Sequence, residues 1–174
     1  MKTNIALIGF MGVGKSAVGK LLAQKTGKKL IEVDALIIQK AGKTIPQIFH
    51  EGEIAFREME IAVIKEVAAG KNQIIACGGG AALNKINIDR LKLNSVIIWL
   101  TATPSVILKR TSSDQTARPL LNNKDKLSDI RILLKYRKPY YKGAADIVID
   151  TSRSNIEAVV EEIINQLKEN ANIN

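Results

Sequence analysis

Residues 9 to 16 read Gly9-Phe10-Met11-Gly12-Val13-Gly14-Lys15-Ser16, and no other run constrains the chain as tightly. They fit the Walker A spacing of Gly, four residues, Gly, Lys, then Ser or Thr. An apolar run rich in β-branched residues, Asn4 to Ile8, comes before, and helical spacing through Val18, Leu21 and Leu22 comes after. Strand, loop and helix thus stand in the order a phosphate-binding loop requires. Its glycines let the backbone turn N–H groups around phosphate oxygens, and the helix N-terminus adds partial positive charge. Lys15 then reaches the β and γ phosphates, and Ser16 offers its hydroxyl to Mg²⁺. Gly12, Val13, Gly14, Lys15, Ser16 and Ala17 are the predicted nucleotide contacts.

Four further runs, Lys29 to Val33, Gln73 to Cys77, Ser95 to Leu100 and Ala145 to Asp150, are short, apolar and bounded by Gly, Asp, Asn or Thr. Each is predicted to be a strand. Between them lie helical stripes: Phe56, Met59, Val63 and Val67, then Ile156, Val159, Val160, Ile163, Ile164 and Leu167. Gly27 and Gly70 read as helix stops, Thr103 before Pro104 as a helix start, and Ser154 with Glu157 as a capping box. Such alternation predicts an α/β fold: three layers, α/β/α, around a five-stranded parallel sheet. Thr111 to Lys126 lacks periodicity and is polar. A loop of that length in a compact domain is predicted to be a mobile lid. The polar end, residues 170–174, is predicted to fray.

The 174 residues suit a single domain. Cys77 stands alone in the sequence, so no internal disulfide can form, and a reducing cytoplasm is expected. No apolar run approaches the length of a membrane span. The net charge of +9 favours anionic partners, and its placement is uneven. Residues 1–30 hold six basic and no acidic residues; residues 109–142 hold ten basic and three acidic ones. A GTPase switch would carry a guanine-reading Asn-Lys-x-Asp stretch, and none occurs. A small kinase is the economical reading.

Other residues then suggest the acceptor. Asp34 follows the second predicted strand, at the edge where open α/β sheets place ligands, and its carboxylate can take a proton from an attacking hydroxyl. Asp is also a preferred cap for a helix beginning at Ala35, and the two roles are compatible. Arg57 adjoins the apolar stripe through Phe56, and Arg137 extends the spacing of Leu127, Ile130 and Leu134. A guanidinium fork in such a place suits a carboxylate ligand, though an ion pair of Arg57 with Glu58 or Glu60 would also account for it. Pro139 should distort the helix just beyond Arg137. Gly78, Gly79 and Gly80 close the third strand and permit close approach to the main chain. Arg118, in the predicted lid, is placed to close over a transferring phosphoryl group. Cys77, His50 and Trp99 read as structural.

In this order the landmarks resemble those of the shikimate kinases: the Walker A loop, Glu32-Val33-Asp34, Phe56-Arg57-Glu58, Cys77-Gly78-Gly79-Gly80, and Arg118-Pro119-Leu120-Leu121 followed by Arg137-Lys138-Pro139-Tyr140-Tyr141. The likeness runs from Ile5 to about Val160. It implies the P-loop NTPase fold and transfer of the ATP γ-phosphoryl to the 3-hydroxyl of shikimate. The implied catalytic residues are Asp34, Lys15 and Arg118. The implied shikimate contacts are Asp34, Arg57, Gly78, Gly79, Gly80 and Arg137; Arg110 and Arg153 match positions that flank the adenine. Ser16 and Glu32 would serve Mg²⁺. One kinase domain then spans 1–174, with a core of 1–33, 62–110 and 143–168, a substrate-binding segment of 34–61 and a lid of about 111–126. ATP and shikimate are the expected partners of a cytoplasmic monomer, with neither nucleic acid nor membrane involved.

Two departures stand out. Glu32 replaces the aspartate usual in the family, lengthening that carboxylate arm by a methylene, and Ala17 replaces a hydroxyl residue. The rival readings are another small-molecule kinase, such as a gluconate or nucleotide kinase, and a non-catalytic binder of nucleotide or nucleic acid. Aromatic residues make up only 4% of the chain, which disfavours a nucleotide acceptor held by base stacking.

Overall fold

The computed structural model describes residues 2–112 and 125–171. Most of the predicted lid, including Arg118, and the last three residues of the predicted tail lie outside the described residues.

The first strand, β1 (Asn4–Ile8), is buried along its whole length. Ala6 and Ile8 face one layer while Ile5 and Leu7 face the other, which explains an unbroken apolar run in place of alternation. The chain continues through α1 (Lys15–Thr26), β2 (Lys29–Glu32), α2 (Val33–Ala41), α3 (Ile45–Glu51), α4 (Glu53–Ala68) and β3 (Gln73–Ala76). Then come a short 3₁₀ turn (Ala81–Leu83), α5 (Lys85–Asn94), β4 (Ser95–Thr101), α6 (Pro104–Ser112), α7 (Lys126–Ala144), β5 (Ile147–Asp150) and α8 (Ile156–Ala171). The sheet order is β2-β3-β1-β4-β5, and all four pairings are parallel. The five-stranded three-layer sandwich is therefore as expected.

From β1 the chain passes outward to β2 and returns through β3, then crosses to β4 and β5 on the far side. The loop after β1 consequently opens at the carboxyl edge where the connections diverge, the place where such sheets bind ligands. One layer packs α2, α3, α4 and α5 on the sheet through residues such as Val33, Ile37, Ile48, Ile64 and Leu91. The other packs α1, α6 and α8 through residues such as Val18, Leu22, Ile107, Val160 and Ile163. Helix α7 joins both: Ile130 lies in the second layer, Tyr141 and Ala144 in the first. Arg137 falls between these anchors.

Several local expectations need correction. Val33 begins α2 and does not extend β2; Glu32 takes the last ladder position against Ala76, and Val33 turns into the core with no exposure. Asp34 therefore stands in the first turn of α2, neither ending a strand nor capping a helix at Ala35. The cap of α8 is Asn155 in place of Ser154, its side chain accepting from the Ala158 N–H at 2.8 Å. Gly27 does end α1 in the left-handed region, but α4 already ends at Ala68, ahead of Gly70. Helix α7 continues unbroken through Pro139, because buried Tyr141 and Ala144 hold its final turn. Helix α3 was not anticipated, although Thr44 and Gln47 form a full capping box at its start.

Candidate active site

The phosphate loop is shaped by backbone conformations that a side chain would forbid. Gly9 has φ +140°, and a Cβ there would stand 2.3 Å from the Leu100 carbonyl oxygen. Gly14 precedes α1 in the left-handed region, and no side chain caps the helix. The first-turn N–H groups of α1 thus receive no side-chain acceptor, as suits an anion site. Lys15 folds back on the loop, its Nζ donating to the carbonyls of Gly9 at 2.9 Å and Phe10 at 2.8 Å. Ser16 and Ala17 are exposed beside it.

Arg110, from the last turn of α6, ties this loop to the segment after β5. Its guanidinium donates to the Thr151 carbonyl at 2.7 Å, to Thr151 Oγ1 at 3.0 Å, and to the carbonyls of Gly12 and Val13 at 3.4 Å. The Thr151 hydroxyl in turn bonds the Val13 carbonyl at 2.9 Å. Arg153, two residues further on, is exposed. The two arginines expected near the adenine therefore meet at the segment after β5 but differ in anchorage.

Across the cleft, Asp34 is open to solvent on one side and crowded by protein on the others. That crowding pushes its carboxyl above the ordinary aspartate range, against the pull of Lys15 and Arg57 and with the help of nearby Glu32. A Cβ on Gly78 would come within 2.9 Å of Asp34 Oδ1 and 3.0 Å of Glu60 Oε1, so the two carboxylates approach the same backbone point. Glu60 is fully buried. Burial raises its pKa, which Arg57 opposes, Asp34 reinforces and Arg137 opposes. Its Oε2 accepts from Arg57 Nη1 at 3.0 Å, while its Oε1 has no hydrogen-bond partner among the described residues.

Arg57 is further held by Glu53, whose Oε1 accepts from Nη2 at 3.0 Å and from Nε at 3.2 Å. The predicted ion pair is thus present with Glu60 and not with Glu58, and Glu53 joins it. The guanidinium also lies 5.2 Å above the Phe56 ring. A Cβ on Gly80 would meet both Arg57 nitrogens at 2.5 Å, so that glycine is what admits the arginine. Arg137 is only 4% exposed. It stacks over Phe10 at 5.5 Å and donates through Nη1 to the Gly79 carbonyl at 3.3 Å, while its buried Nε has no partner among the described residues.

Lys15, Asp34, Arg57, Gly78 to Gly80 and Arg137 are therefore brought to one cleft. Arg110 and Arg153 stand by the segment after β5, Arg110 bonded to the phosphate loop, and Arg118 lies outside the described residues. Sequence reasoning treated Glu60 only as an ion-pair option and gave Tyr141 no role. Glu60 had a signal: it is an acid on the buried stripe, four residues after Phe56 and three before Val63. Tyr141 lies one helical turn after Arg137.

Oxygen donors suited to Mg²⁺ are also present. Ser16 contributes a hydroxyl, and the half-buried carboxylate of Glu32 is not spent on capping α2, although Glu32 occupies the cap position. A hydroxyl with one or two carboxylates fits a hard cation that takes its remaining ligands from phosphate and water.

A phosphate loop on a parallel sheet, facing a carboxylate and two ordered guanidinium groups, defines a small-molecule kinase of the P-loop class. The shikimate kinase family model matches residues 11–168. Shikimate kinase of Symbiobacterium thermophilum is 42% identical over 168 residues, covering 95% of this chain and 97% of that protein. The solved structure of shikimate kinase from Acinetobacter baumannii in complex with shikimate superposes with a TM-score of 0.92 at 35% identity, covering 98% of this chain and 95% of that one. A gluconokinase from Sinorhizobium meliloti reaches a TM-score of 0.65 at 21% identity, a likeness of fold alone. The chain belongs to the shikimate kinase family.

Proposed function

We propose that the protein transfers the γ-phosphoryl of ATP to the 3-hydroxyl of shikimate, giving shikimate 3-phosphate and ADP. The observation that carries this reading is the pair Arg57 and Arg137 on either side of the Gly78–Gly80 turn, with Asp34 facing the same turn. Two ordered forks are suited to one carboxylate, and the acidic side chain beside them is suited to a hydroxyl. Asp34 accepts the hydroxyl proton as the oxygen attacks the γ-phosphorus and ADP departs. Its raised affinity for protons suits a base, provided the working pH keeps it ionised.

Lys15 leaves the Gly9 and Phe10 carbonyls for the β and γ phosphates, and the loop N–H groups hold the charge that develops. Arg118 adds a cation over the transferring group. Gly12, Val13, Gly14, Ser16 and Ala17 complete the phosphate cradle, with Arg110 and Arg153 beside the adenine. Mg²⁺, when bound with the nucleotide, neutralises phosphate charge; Ser16 and Glu32 are the residues that would hold it. Most of the catalytic effect is alignment and electrostatics, since this transfer forms no covalent enzyme intermediate.

Among the described residues no helix is long and apolar enough to cross a membrane. The reading is of a cytoplasmic monomer forming a single kinase unit, whose basic stretches serve two anionic substrates and no nucleic acid. ADP release with and without shikimate tests the acceptor. Release stimulated by shikimate and dependent on Mg²⁺ is expected; release with gluconate and none with shikimate would overturn it.

A further inference from the structure

The Gly79–Gly80 peptide lies between the two guanidinium groups. On the Gly79 side Arg137 Nη1 is 3.6 Å from the Cβ position, and on the Gly80 side both Arg57 nitrogens are at 2.5 Å. Three consecutive glycines have no side chains to fix this peptide's plane. Turn bonds from the Ala81 N–H to the Gly78 carbonyl at 3.2 Å and from the Leu83 N–H to the Gly80 carbonyl at 3.0 Å tie the peptides on either side, so this one is held through its own carbonyl. The Gly79 carbonyl accepts two hydrogen bonds, one of 2.5 Å from the Tyr141 hydroxyl and one of 3.3 Å from Arg137 Nη1. Of the two, the tyrosine bond is the shorter, and its donor is the more firmly placed.

Tyr141 has no exposure and is the largest fully buried side chain among the described residues. Its ring stacks on Trp99 of β4, with centroids 5.7 Å apart and planes 29° apart. The hydroxyl is thus fixed relative to the sheet itself, while Arg137, four residues earlier on the same helix, must stay available to a ligand. In a trans peptide the carbonyl and the following N–H point in opposite directions. Pinning the Gly79 oxygen toward α7 therefore also fixes the direction of the Gly80 N–H.

We propose that Tyr141 is a positioning residue for the acceptor: its hydroxyl locks the Gly79–Gly80 peptide so that Arg137 and Arg57 face the acid from fixed directions. This rests on the reading of Arg57, Gly79 and Arg137 as the shikimate side of the cleft. Burial drives the phenol pKa up to about 12, so the hydroxyl stays protonated, and a donor, throughout the neutral range.

The test is Tyr141→Phe, which keeps the ring and removes only the donor. The expected result is a KM for shikimate raised about tenfold, with kcat and the KM for ATP within about twofold. Trp99→Phe keeps the hydroxyl and loosens the stack; it is expected to lower the melting temperature while leaving the KM for shikimate within about twofold. A shikimate KM unchanged in Y141F would overturn the proposal. So would a rise matched by the KM for ATP, or one reproduced by W99F at equal loss of melting temperature, since either would mean general loosening. Arg137→Ala separates the underlying reading: if it too leaves shikimate binding intact, the acceptor assignment fails, whereas an effect in R137A without one in Y141F defeats only the role of Tyr141.

Discussion

The two sides of the cleft are built from different material. On the nucleotide side the working groups belong mainly to the main chain of one contiguous segment, Gly9 to Ala17, and Lys15 rests on carbonyls of that same segment. On the side proposed for the acceptor, side chains from α2, α4 and α7 meet around the turn after β3, joined by the half-buried Arg57–Glu60 pair, the more exposed Arg57–Glu53 pair and the Arg137 bond to the Gly79 carbonyl. The difference follows from the ligands. A triphosphate offers the same oxygens in every nucleotide, so a backbone nest suffices. A particular carboxylic acid must be recognised by forks and a carboxylate, held where only the completed fold can bring them.

If the halves are separable in this way, Lys15→Met should cause the largest loss, a fall in kcat of about 10³-fold. Shikimate binding measured by calorimetry in the same variant should stay within about twofold of the parent. Loss of both together would mean that the loop and the acceptor site form one unit.

Asp34 stands at the seam between the halves. Asp34→Asn should lower kcat about 10²-fold. In the parent enzyme kcat/KM for shikimate should fall on the acid side with a midpoint above that of an ordinary aspartate, because burial raises its pKa. The sign for stability is opposite to that for activity. A carboxyl raised in the folded state contributes stability that is complete below its unfolded pKa and is lost as pH rises through the folded value. At neutral pH the asparagine variant should therefore melt higher, by about 1–2 °C given the solvent on the open side of this carboxylate. The gain should vanish once acid protonates the parent's Asp34. A variant that turns over normally would remove Asp34 from the base role.

On the acceptor side alone, Arg137→Ala should raise the KM for shikimate about 30-fold and leave the KM for ATP within about threefold. Steady-state titration of each substrate at saturating levels of the other reads both numbers. An equal rise in both would contradict the division of the cleft.

What could be read in the sequence divides along the same line. Gly9 to Ser16 is local, and strand, loop and helix follow one another, so spacing alone revealed the phosphate loop. The five strands were legible because parallel strands buried on both faces are short, continuous apolar runs, and their ends moved by only one or two residues. Residue types also marked Arg57 and Arg137. Glu60 was legible as a partner of Arg57, since it lies one helical turn away, whereas the Gly79 carbonyl did not stand out as a partner of Arg137, because that contact spans 58 residues. Asp34 was identified with the wrong local structure, since Val33 looks like the end of a strand until the core claims it as the start of α2.

The smallest effects belong to the two arginines at the far edge of the side proposed for the nucleotide, and there the comparison can be made around the single segment after β5. Arg110 is clasped by Thr151 and by the Gly12 and Val13 carbonyls, whereas Arg153 is exposed. A charge that links two segments orders the loop it touches; an exposed one gains little in water. Arg110→Ala should therefore raise the KM for ATP about tenfold, and Arg153→Ala only about twofold. Neither should change the KM for shikimate, because the Arg110 guanidinium bonds the phosphate loop and the segment after β5, and Arg153 is exposed. Equal effects from the two would show that stacking or charge near the base governs this edge, and that the clasp through Thr151 does not.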